Sequence, residues 1–178
     1  GWLRCDTLEL VNAASLDSHG GSSFAVNALE GDVDNLNIVG NLYFGFTGGS
    51  GSGAHTVGPG RSLTSHYGGV GHEAPATLTI HGGGDVTTSA TYFCGYQATG
   101  VVNLSGSGST LDVGDDLLIG MRSTGTCNVS GGAEVMVGDD LVVGEDTGGN
   151  GTLTATGLGT TVDCGSGLIV GEDATAKG

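Results

Sequence analysis

Residues 101–120 read Val101-Val102-Asn103-Leu104-Ser105-Gly106-Ser107-Gly108-Ser109-Thr110-Leu111-Asp112-Val113-Gly114-Asp115-Asp116-Leu117-Leu118-Ile119-Gly120. Three short apolar runs lie in this stretch, 102–104, 111–113 and 117–119, parted by a serine-glycine segment and by Gly114-Asp115-Asp116. Period-two alternation places the first and third residue of each run on one side and the middle residue on the other, the pattern of a half-buried strand. The layout then repeats. Cys127-Asn128-Val129, Val135-Met136-Val137 and Leu141-Val142-Val143 form the next set, and Leu153-Thr154-Ala155, Val162-Asp163-Cys164 and Leu168-Ile169-Val170 the one after. Each set closes on glycine. These glycines stand at 45, 71, 95, 120, 144 and 171, so a unit is about 25 residues long.

Three strands this short cannot bury an apolar side alone, but stacked units can. If each unit is one coil, equivalent strands pair in parallel about 4.8 Å apart, and inward residues form ladders along the axis. The sequence therefore predicts an all-β, single-stranded, three-faced parallel β-helix over residues 36–178. The expected ladders are Leu78, Val102, Cys127, Leu153 on the first face, Val86, Leu111, Val135, Val162 on the second, and Cys94, Ile119, Val143, Val170 on the third. An antiparallel sandwich shares the turn spacing but has no need of one constant offset, and a propeller blade needs roughly 40 residues. Residues 1–35 fit the period poorly and read as an irregular first coil or cap.

Composition narrows the function. The chain has 178 residues and a formal charge of −15, with 38 glycines and only four Lys or Arg. Such a surface repels phosphate backbones and anionic headgroups, so nucleic-acid partners and membrane-surface binding are not expected. No apolar run approaches the ~18 residues of a membrane-spanning helix. The chain reads as soluble and already processed, or as a fragment.

The stretches 102–110 and 117–120, the Ser130-Gly131-Gly132 turn, and Thr156-Gly157-Leu158-Gly159-Thr160 before Leu168-Ile169-Val170-Gly171 resemble the repeats of autotransporter passengers and PEP-CTERM-associated surface proteins. The resemblance covers about residues 76–178. It implies export and an extracellular or cell-surface role, and it is silent on activity.

Asp115-Asp116 and Asp139-Asp140 fall at equivalent corners of adjacent coils, as do Glu145-Asp146 and Glu172-Asp173 at another, so like charges approach closely. Solvation offsets this repulsion in one reading and calcium in the other, which makes calcium the one candidate cofactor. Arg122 shares a column with Asp146, and a cross-coil ion pair is expected. Cys94, Cys127 and Cys164 take inward positions as small hydrophobes, whereas Cys5 lies outside the register. His55, His66, His72 and His81 share no column and read as turn histidines. Asn103, Asn128 and Asn150 open N-x-Ser/Thr sequons, candidate glycosylation sites.

No catalytic residues are expected. A nucleophile elbow and a phosphate loop are both missing, basic residues are isolated, and Asp112 and Asp163 are two coils apart with Met136 between them. The chain thus reads as non-enzymatic. On the third face Tyr43, Phe93, Leu118, Val142 and Ile169 hold the middle, outward position, interrupted by Gly69, and form an apolar stripe expected to be an interface unless 47–53 or 1–35 folds over it. With an unblunted last coil, the stripe makes a self-associating structural solenoid, a filament built head to tail, the leading expectation. The alternative is an adhesin-like module presenting polar faces or acidic corners to carbohydrate or a host surface. Ice binding would need a regular Thr-x-Thr face. Thr77–Thr79 and Thr152–Thr154 supply it, but the coils between them do not.

Overall fold

The computed structural model describes residues 2–10, 15–17, 23–31, 36–46, 53–173 and 175–178. Among these the chain has no helix and twenty strands, wound coil by coil. The first two coils contribute β1 (Trp2–Leu10) with β2 (Ser15–Asp17), and β3 (Ser23–Gly31) with β4 (Leu36–Val39). Then come β5 (Asn41–Phe44), β6 (Ala54–Val57) and β7 (Ser62–Ser65), followed by β8 (Gly68–Val70), β9 (Ala76–His81) and β10 (Asp85–Thr88). The clearest coils hold β11 (Tyr92–Cys94), β12 (Gly100–Ser105) and β13 (Thr110–Val113), then β14 (Leu117–Ile119), β15 (Thr124–Ser130) and β16 (Glu134–Val137). The winding ends with β17 (Leu141–Val143), β18 (Asn150–Thr156), β19 (Thr161–Cys164) and β20 (Leu168–Val170).

Equivalent strands of successive coils pair in parallel, giving three sheets that are the faces of a β-solenoid. The first face runs β6-β9-β12-β15-β18, the second β2-β4-β7-β10-β13-β16-β19, and the third β1-β3-β5-β8-β11-β14-β17-β20. The three inward ladders appear in the anticipated register: Leu78, Val102, Cys127 and Leu153 pair in sequence, as do Val86, Leu111, Val135, Val162 and Cys94, Ile119, Val143, Val170. Their interior members are sealed from water by the coils on either side. The described parts of residues 1–35 belong to the same second and third sheets, with nine-residue strands β1 and β3 in place of the short ones.

Corners explain how so small a cross-section closes. Gly71, Gly95, Gly120 and Gly144 adopt φ of +72°, +85°, +75° and +79°, the left-handed region that a side chain resists. Gly95, Gly120 and Gly144 each press backbone to backbone against a second glycine, Gly100, Gly125 and Gly151, near the start of the next first-face strand. A Cβ on Gly100 would strike the amide nitrogen of Gly95, and one on Gly125 that of Gly120. Cys94 Sγ sits inside such a corner, 3.4 Å from the Gly100 carbonyl and 3.3 Å from that of Thr126.

The coil from Gly68 departs from the pattern twice, with one cause. Gly68 and Gly69 replace an inward and an outward side chain. Inside, the Tyr92 ring of the next coil fills the space, so that a Cβ on Gly68 would lie 2.7 Å from it. Outside, a Cβ on Gly69 would lie 2.8 Å from the Phe93 carbonyl oxygen, and the surface is left dented.

Candidate functional site

The acidic corner comes together only in part. Carboxylate oxygens of Asp115, Asp116 and Asp139 lie within 4.8 Å of one another, the one such group of acidic, histidine or cysteine side chains among the described residues. Asp140, Glu145, Asp146, Glu172 and Asp173 do not join it. The cluster is held by neutral donors from neighbouring coils. The Asp140 amide donates to Asp116 Oδ1 at 3.1 Å, Thr91 Oγ1 to Asp115 Oδ2 at 3.3 Å, and the Ser166 hydroxyl to Asp139. Burial holds the Asp116 carboxyl above the usual range, against the pull of the Asp140 amide and with help from Asp115, Asp139 and Asp140.

At the other acidic corner Arg122 Nε donates to Asp146 Oδ2 at 2.6 Å across one coil, the ion pair anticipated from the column, and Thr147 Oγ1 donates to Asp173 at 3.1 Å. Glu145 Oε2 is buried without a hydrogen-bond partner among the described residues. Burial, then the charges of Asp146, Glu172 and Asp116, push its carboxyl up, and Arg122 opposes them.

The apolar stripe is in register but is not bare. Tyr43 pairs with Gly69, Gly69 with Phe93, Phe93 with Leu118, Leu118 with Val142 and Val142 with Ile169. Yet Tyr43, Leu118 and Val142 are 8%, 7% and 4% exposed, and Phe93 and Ile169 are half-buried, which corrects the expectation of an open interface. The cover that the described residues show comes from His72 and Tyr96, which follow the closing glycines Gly71 and Gly95; residues 47–52 and parts of 1–35, the cover anticipated from the sequence, lie outside those described. His72 stacks on Tyr43 at 4.3 Å between ring centroids and on Tyr96 at 5.2 Å. Tyr96 in turn meets Phe93 at 5.4 Å. Tyr43, His72, Phe93, Tyr96 and Met121 line a cleft of about 200 Å³ beside the dent at Gly69. Its rim is charged but internally paired. Arg4 bridges both Glu73 oxygens at 2.5 and 2.9 Å, and Arg122, besides its bond to Asp146, donates to Tyr96 Oη at 3.3 Å. Sequence reading missed this cleft because it took His72 for a turn histidine and gave Tyr96 and Met121 no role. The recurrence of His72, Tyr96 and Met121 after successive closing glycines was the available signal.

The histidines do not converge, and one of them corrects its assignment. His55 takes an inward first-face position opposite Leu78, is buried, and stacks on Phe44 at 5.0 Å. It is a core residue, not a turn residue, on the inward side of a strand whose alternation buries His55 and Val57. His66 bonds Ser89 Oγ at 2.9 Å in a turn, and His81 is exposed at a strand end. Cys94 and Cys127 are buried free thiols, with burial pushing Cys94 up to about 12 and Cys127 likewise upward. Cys164 is free and half-buried. Asn103 and Asn128 form an outward ladder, Asn128 Nδ2 donating to Asn103 Oδ1 at 3.0 Å, and Asn150 is exposed. The outward columns beside them read Thr77, Val101, Thr126, Thr152 and Thr79, Asn103, Asn128, Thr154, uncharged but without the regular threonine array ice would require.

The last layer is open. Leu168 and Val170 are 59% and 58% exposed, while Leu141 and Val143, their partners one coil back, are sealed. A cavity of about 600 Å³ lies over Leu153, Leu168 and Val170, edged by Lys177 and Gly178. Lys177 bridges Asn150 in parallel, its amide donating to Gly149 and its carbonyl accepting from Gly151, as the start of a further first-face strand would. Comparison with protein-family models, curated proteins and solved structures gives no match to the chain.

Proposed function

We propose that this chain is a non-catalytic structural rod of an exported surface or matrix layer, lengthened by end-to-end stacking of solenoids. The observation that carries the reading is the open layer formed by β18, β19 and β20. There the inward ladder positions Leu168 and Val170 face solvent, and the edges of β19 and β20 have no partner strand among the described residues. A parallel edge with unsatisfied amides and carbonyls above an apolar cavity is a template for another coil. The matching surface is the β1 edge at the opposite end of the third sheet, and a contact between unlike ends propagates instead of closing. The repeats' likeness to bacterial surface solenoids supports export. A catalytic role gains no support from Asp112 and Asp163, which the register separates by Met136.

Electron microscopy and concentration-dependent light scattering test the proposal. Wild-type protein is expected to form unbranched rods. A Leu168→Asp, Val170→Asp double variant, substituted where side chains are already half in water, is expected to melt normally and remain monomeric. A wild-type chain that stays monomeric at its highest soluble concentration overturns the reading.

A further inference from the structure

The third-face cleft offers an activity independent of stacking. Four rings and a thioether, from Tyr43, His72, Phe93, Tyr96 and Met121, surround a space of about 200 Å³, beside the one place where the outward stripe has no side chain. Gly69 cannot be filled without displacing the Phe93 backbone, so the dent belongs to the architecture. We propose that this cleft is a binding subsite for one sugar ring of a neutral glycan.

Three observations select that ligand class. Aromatic rings carry negative potential on their faces and attract the weakly positive C–H groups of a pyranose, and four of the five side chains lining this cleft are rings. Polar groups adjoin its lining residues: Glu73, paired with Arg4, follows His72, and Arg122, bonded to Asp146 and Tyr96 Oη, follows Met121, so ring hydroxyls have donors and acceptors nearby. A ligand with apolar faces and a polar edge matches this arrangement. Finally, the charges are balanced locally. Each rim arginine is neutralised by a carboxylate, which leaves nothing to hold a sulfated or uronic glycan against the −15 charge of the chain. The Arg122 guanidinium already lies 5.4 Å from the Tyr96 ring centroid, so the cation position over that ring is taken, which disfavours a quaternary ammonium ligand.

The test uses the whole chain, against an array of neutral hexose and N-acetylhexosamine oligosaccharides beside sulfated and uronic ones, with choline as a separate soluble probe. Binding to at least one neutral glycan is expected, weakened about tenfold by Tyr96→Ala and retained by Tyr96→Phe. His72→Ala is the second variant should Tyr96→Ala fold poorly, and melting curves separate loss of binding from loss of fold. The Leu168→Asp, Val170→Asp variant should bind as wild type does, so failure of stacking and failure of glycan binding are read apart. No binding to any neutral glycan on the array, binding unaffected by both Tyr96→Ala and His72→Ala, or preference for the acidic glycans or choline overturns the proposal.

Discussion

At the scale of single residues the corners are the least forgiving positions. A Cβ on Gly125, near the start of β15, would run into the Cys94 carbonyl and the Gly120 amide, so Gly125→Ala must push two coils apart. A loss of roughly 2–4 kcal/mol in urea unfolding is expected. Gly148→Ala, at φ +89° with open space around it, should cost only the backbone strain of about 1–2 kcal/mol. Tyr92 is the reverse case. Its ring fills the space over Gly68, but its hydroxyl is buried without a partner among the described residues. Tyr92→Phe should therefore hold or raise stability by about 1 kcal/mol, and Tyr92→Leu should lower it by opening a void. Glu145 has a carboxyl raised by burial, so protonation favours the folded chain. Its contribution is present below the ordinary carboxylate range and lost as pH rises through the raised value. Glu145→Gln should melt higher than wild type at neutral pH, with the gap closing as pH falls, measured by thermal scans across that range.

Elements here are stabilised by their neighbours in the stack far more than by their own length, since three-residue strands have little intrinsic preference. An interior ladder position such as Leu111, fully buried between Val86 and Val135, should lose about 2–5 kcal/mol on change to Ala. Leu158, 99% exposed in a corner, should lose nothing measurable. These ladders were legible in the sequence because a constant offset aligns residues whatever lies in the turns. What stayed hidden were features that depend on where a turn sends the next side chain. The alternation correctly put Tyr43 and Phe93 outward, yet the rings of His72 and Tyr96, each after a left-handed glycine, pack against them, and period-two reasoning stops at the strand end. His55 was misjudged for a related reason. It lies in β6, a strand outside the clearest repeats, where it is buried on the same side as Val57 and opposite Leu78. The two acidic corners were located from spacing, but only Asp115, Asp116 and Asp139 approach closely; Asp146 and Asp173 are bonded instead to Arg122 and Thr147.

Over the whole molecule, stability is close to a sum of coils and coil-to-coil contacts, so the two ends should open before the middle. Hydrogen exchange is expected to be slowest for amides in β12, β13, β15 and β16, which are paired on both sides, and fastest in β19 and β20. Uniform protection along the axis would contradict this picture. The register also makes the coil an interchangeable spacer. Val102 sits between Leu78 and Cys127, and Leu111 between Val86 and Val135, so excising residues 100–124 would seat Cys127 on Leu78 and Val135 on Val86 with every sheet intact. Reach, for a molecule constructed this way, can be lengthened or shortened in whole steps by duplication or deletion of about 25 codons, and no other part of the chain has to be rewritten to accommodate the change.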